Sequence, residues 1–204
     1  MTTDRTAGGM TDKNVCPTDT IDGNAGGMTD TNVCPTDIGV LVVGIGSLIR
    51  GDDGAGRLVA ERLADSLRLP GVEVMSVHQL TPELSEIVGR SSVAVFVDAS
   101  AADPPGKLVC REVQPSADID PGAHICTPRS LLAWSRWLYG RFPPAFLFSV
   151  GGEKFDITEE LTSTVQRGAA ELQVQIEAYV RVLQGWLSAG KKGTIPVPAP
   201  LSAG

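Results

Sequence analysis

Several common activities leave no mark on this sequence. No segment reaches the roughly 20 consecutive apolar residues of a membrane-spanning helix, and the N-terminus has no apolar core of a secretory signal. Basic charge is in the minority, with 17 Lys and Arg against 24 Asp and Glu and a net charge of -7. That balance argues against a general affinity for nucleic acid or anionic lipid. The four cysteines, at 16, 34, 110 and 126, have neither the density of a disulfide scaffold nor C-x-x-C spacing, so reduced thiols are expected. Together these absences predict a cytoplasmic protein with neither membrane nor nucleic acid as partner. Length and an apolar fraction of 42% over 204 residues suit one ordinary domain able to bury a core.

The stretch that organises the chain is VLVVGIGSLIRGDDGAG, Val40 to Gly56. An apolar run of strand length ends in Gly44-Ile45-Gly46, and Gly54 and Gly56 open a helical pattern. Strand, loop and helix start normally suggest phosphate binding at the helix N-terminus. Here Asp52 and Asp53 make the loop hostile to phosphate. The dinucleotide register also fails, because the third glycine falls at Ile49, and no P-loop lysine follows. No nucleotide cofactor is expected. Fixed negative charge at this place suits a metal cation or a proton transfer.

Residues 7–19, AGGMTDKNVCPTD, recur at 25–37 as AGGMTDTNVCPTD, a period of 18 without apolar periodicity. Residues 1–37 therefore read as a disordered, duplicated leader, 38–189 as an α/β domain and 190–204 as a flexible tail. Within the domain, apolar strands are expected at Val40–Val43, Val72–Val77, Ser92–Val97 (stopping at Asp98), Leu108–Val113 and Ala145–Val150. Helical spacing covers 54–68, a short stretch begun by Thr81-Pro82 and running to about Val88, a segment capped by Thr127-Pro128, and a long final helix from Leu161 to Leu187. Such alternation predicts a mostly parallel twisted sheet of about five strands with helices on both faces.

Ligands of open α/β sheets bind outside the carboxyl ends of the strands. Asp52, Asp53 and Asp98 belong to that edge, and His124, in a loop before a helix, can reach it. Two carboxylates and one imidazole suit a borderline divalent ion such as nickel or zinc, or acid–base machinery with the two pKa values pushed apart. Plainer readings compete. Asp53 could be a helix N-cap, Asp98 a brace for a loop, and His124 a solvated loop histidine. His78 is equally well placed by topology, and Cys126 with His124 could form a Cys–His nucleophile pair.

With these residues assembled, the chain resembles the hydrogenase maturation proteases, endopeptidases that trim the C-terminal extension from the large subunit of a nickel–iron hydrogenase. The matching pieces are VVGIGSLIRGDDGAG, VFVDAS ending in the region of Asp98, and HICTPRSLLAW beginning at His124, with similarity from about Val40 to Leu187. VHQLTPEL and LLAWSRWLYGRFPPAFLFSVGG are most similar to the branch serving bidirectional, NAD-reducing hydrogenases. The resemblance implies that Asp53, Asp98 and His124 form the catalytic and metal-contacting set. They would touch nickel supplied by the large-subunit precursor, rather than a resident zinc held by H-E-x-x-H, a motif absent here. Ser47 stands where the family usually has Asn, and Gln79-Leu80-Thr81 replaces a Gly-rich loop of other branches; Gln79 and Thr81 are expected to contact the substrate, with the enzyme acting as a monomer. The rival readings are a nickel-sensing chaperone of the precursor without proteolysis, and a nucleotide-dependent oxidoreductase built on the G-x-G turn.

Overall fold

The computed structural model describes residues 38–119, 126–191, 193–199 and 201. Among them, five strands form one sheet: β1 (Ile38–Ile45), β2 (Val72–Val77), β3 (Ser91–Ser100), β4 (Leu108–Val113) and β5 (Ala145–Gly151), in the order β2-β1-β3-β5-β4. All neighbours are parallel except β4, which runs antiparallel to β5. The reason lies in the connection from β3 to β4, residues 101–107, which is too short for the crossover of a dozen or more residues that a parallel return requires. Helices α1 (Ala55–Ser66), α2 (Ser85–Arg90), α3 (Pro128–Tyr139) and α4 (Ser163–Ser188) cover the sheet.

β1 and the Val93–Val97 run of β3 are apolar at every position because both faces are covered. In β1, Val40 and Val42 face a core built with α1 and α4, whereas Leu41 and Val43 face a second core built with α2 and α3. The α4 contribution is a stripe at helical spacing, Val165, Ala169, Leu172, Ile176, Val180 and Leu183, all fully buried. Each large member stabilises the fold by about 1.5–3 kcal/mol through burial. Thr127 caps α3 as its sequence suggests, accepting from the Ser130 N–H while the Ser130 hydroxyl accepts from the Thr127 N–H, and Gly140 ends the helix at φ 70°.

Three local expectations are corrected. β3 continues past Asp98 to Ser100, because its pairing with β5 carries Asp98 opposite Ser149 and Ser100 opposite Gly151. Thr81 occupies the N-cap position of the Pro82–Leu84 turn but makes no side-chain cap bond. Glu83's own backbone N–H and the Thr81 hydroxyl instead hold the Glu83 carboxyl below its usual range. Past residue 190, where a free tail is expected, Ile195 and Leu201 pack on the α1/α4 core and the Tyr179 hydroxyl donates to the Pro196 carbonyl at 2.9 Å. The leader at 1–37 lies outside the described residues.

Candidate active site

β1 delivers the chain to Gly46, where φ is +134° and a Cβ would fall 1.8 Å from the Asp53 carbonyl oxygen. Only glycine lets the loop double back this tightly. The fold-back puts the Ser47 N–H 2.8 Å from Asp53 Oδ2, to which it donates. Asp53 is therefore no N-cap: the cap position of α1 is Gly54, and the Asp53 carboxylate is held toward the strand ends instead.

Its neighbour has a different role. Asp52 is fully buried and accepts four hydrogen bonds, from the N–H groups of Glu153 and Lys154 at 2.8 Å, from the Thr162 N–H at 2.7 Å and from the Thr162 hydroxyl at 3.1 Å. Burial alone would raise its pKa, but these donors together outweigh it and hold the carboxyl below the usual range. Asp52 is thus an ionised anchor joining the glycine loop to the β5–α4 connection. Thr162 also caps α4, its hydroxyl accepting from the Val165 N–H. Sequence reasoning placed both acids at the mouth without separating these roles. The Thr-Ser-Thr run before the long helix was the available signal for the anchor's partner.

α1 then brings the loop against β3. At Gly56 a Cβ would meet the carbonyl oxygens of Ile45 and Val97 at 2.4 Å and the Asp98 Cα at 2.9 Å, so the first helical turn rests directly on the strand backbones. Asp98 Oδ1 accepts the Ala99 N–H at 2.8 Å. Burial is the main influence on this carboxyl; the Ala99 bond partly opposes it, the charge of Asp53 reinforces it, and the pKa is pushed up to about 7. Asp53 and Asp98, which lie far apart along the chain, therefore sense one another electrostatically at the carboxyl edge of the sheet. One of the pair holds a proton readily near neutrality, and an approaching cation would replace it.

The segment after β2 borders the same edge, since the Gly46 N–H donates to the Val77 carbonyl and Leu80 bridges to Cys126. His78 and Gln79 are exposed, and Thr81 is half-buried with its hydroxyl turned to Glu83. His124 lies outside the described residues. Cys126 is half-buried, and its thiol is pushed up by burial, with the Ser130 hydroxyl opposing and the charge of Glu83 reinforcing. A thiol held protonated is the opposite of an activated nucleophile, which removes support from the Cys–His pair. Among the described residues, no group of three His, Cys, Asp or Glu side chains is placed to hold a metal ion. A surface cleft of about 620 Å³ beside α3, lined by Ile119, Trp134 and Trp137 among others, includes none of Asp53, Asp98, Gln79 and Thr81.

This arrangement of strands and helices recurs in solved structures. The chain is similar to a nickel–iron hydrogenase maturation protease, HycI, from Thermococcus kodakarensis KOD1, at 21% identity and a TM-score of 0.59, over 72% of this chain and 94% of that one. It is also similar to the hydrogenase-maturating endopeptidase HybD from E. coli, at 22% identity and TM-score 0.58, over 70% and 92% of the two chains. The HybD maturation protease of T. kodakarensis aligns at 22% identity and TM-score 0.53, over 69% and 97%. The fold is that of the hydrogenase maturation proteases. No protein-family model and no curated protein sequence matches the chain. The similarity spans nearly the whole of each maturation protease and leaves about three tenths of this chain outside it. Among the described residues, no helix is long and apolar enough to cross a membrane.

Proposed function

We propose that this protein is an endopeptidase that removes the C-terminal extension from the nickel-loaded large-subunit precursor of a nickel–iron hydrogenase. The observation that carries the reading is the convergence of Asp53 and Asp98 on one carboxyl edge, in a fold shared with maturation proteases. Nickel belongs to the substrate. Asp53 and Asp98 supply two hard oxygen donors, and His124, by the resemblance, a third, borderline one; this mixed set suits a divalent ion of nickel's kind. Asp52 is not part of it, because its oxygens are already engaged by four donors.

Contact with the precursor's nickel makes cleavage conditional on metal loading. The two carboxylates repel each other until a cation lies between them, so an unloaded precursor meets a site biased against closing on it. Gln79, exposed at the end of β2, and Thr81 are assigned to contacts with the peptide flanking the metal. The VHQLTPEL and LLAWSRWLYGRFPPAFLFSVGG segments favour a precursor of the bidirectional, NAD-reducing branch, and the acidic composition fits a cytoplasmic enzyme working as a monomer.

The deciding experiment incubates the purified protein with the precursor, with and without nickel, and follows precursor mass. Loss of the C-terminal peptide only from the loaded form is expected. An unchanged mass, with stable binding of the loaded precursor, would replace the protease with a nickel-sensing chaperone.

A further inference from the structure

Asp98 has a buried polar neighbour across the sheet. In the β3–β5 register, Asp98 lies opposite Ser149. Adjacent strands stand about 4.8 Å apart, and residues paired across them project from the same face. The burial pattern agrees on which face. Ala94 and Phe96 of β3, with Ala145 and Leu147 of β5, pack into the α2/α3 core, whereas Val93, Val95, Val97, Phe148 and Val150 pack into the α1/α4 core. By alternation, Asp98 and Ser149 continue the first set toward the carboxyl edge.

Ser149 is only 3% exposed, and its Oγ is buried without a hydrogen-bond partner. A buried hydroxyl left unpaired is destabilising, so its presence here calls for a use. The Asp98 carboxylate, for its part, accepts a single hydrogen bond among the described residues, on Oδ1, leaving Oδ2 open. A staggered rotation about the serine Cα–Cβ bond is enough to re-aim the hydroxyl, with no movement of the strands.

Resting on the reading of Asp98 as a nickel contact, we infer that Ser149 is the positioning residue for that carboxylate: its hydroxyl donates to Asp98 when the precursor's nickel is engaged, holding one oxygen and turning the other to the metal. Partners of this outer kind orient the ligand they bond to, and removing one typically lowers metal affinity or activity about 10–100-fold. The neighbour across the other side of Ser149, Val109 of β4, offers no competing acceptor side chain.

The test titrates wild type, Ser149→Ala and Asp98→Ala with nickel chloride alone by calorimetry, and records their melting temperatures. Ser149→Ala is expected to bind nickel about 10-fold or more weakly while its melting temperature stays level or rises, since it discards an unpaired buried hydroxyl. A Ser149→Ala protein that binds nickel as wild type does, beside an Asp98→Ala protein that has lost it, would discard the role of Ser149 and leave Asp98 in place. Wild-type nickel affinity in both variants would bring down the metal reading of Asp98 and this inference with it. A marked fall in the melting temperature of Ser149→Ala would mean that the serine serves the fold instead.

Discussion

Replacing Asp98 with Asn should make the protein more stable and inactive at once. The carboxyl is half-buried, and this burial pushes its pKa from 3.8 up to about 7. The folded state therefore keeps the Asp98 proton over a range in which the unfolded chain has released it. Where the folded state binds more protons, stability falls as pH rises. The protonated form carries no penalty below about pH 4, and the destabilisation is complete only above about pH 7. A shift of about 3 units corresponds to about 4 kcal/mol in all, of which about 2–3 kcal/mol accrues between about pH 5 and about pH 8. Asn is isosteric and cannot ionise, so Asp98→Asn should escape that loss. Urea unfolding of both proteins at the two pH values measures the effect directly. The variant's advantage should be about 2–3 kcal/mol larger at the higher pH, while its processing of nickel-loaded precursor falls below detection. An advantage equal at both pH values would show that Asp98 titrates normally and that burial has been misjudged.

Asp53→Ala and His124→Ala should each abolish processing of the nickel-loaded precursor with circular dichroism and melting temperature preserved; full turnover in either removes that residue from the site. Asp52→Ala strands three backbone N–H groups and the Thr162 hydroxyl. It should lower stability by about 3–5 kcal/mol in denaturant unfolding, and a change within about 1 kcal/mol would contradict the anchor role. Gly56→Ala drives a methyl group into the carbonyls of Ile45 and Val97. A loss of about 3 kcal/mol or more is expected by thermal unfolding, together with impaired processing, because the helix must back away from β3.

The glycine loop was legible in the sequence because its meaning is local: an apolar run, small residues where the chain must double back, and acids where a phosphate site would have none. The strand-and-helix order was legible for the same reason. The direction of β4 depended on counting its connection, which a periodicity reading does not do. The division of labour between Asp52 and Asp53 could not be read, since adjacent acids look alike until donors arrive from 101 to 110 residues away. Asp98 could be assigned to the correct edge from the apolar strand before it, but its raised proton affinity depends on how much chain covers it. Ser149 was invisible for a related reason: opposite residues on neighbouring strands carry no linear spacing rule.

The Asp52 anchor has a mechanical consequence. The connection that begins at Glu153 and ends at Thr162 is fastened to one carboxylate, and that carboxylate sits one peptide bond from Asp53. Any protein that leans on this connection while docking pulls on the backbone that aims Asp53. A bulky partner need not reach the acids to alter their alignment; it need only grip the strap on which one of them is hung.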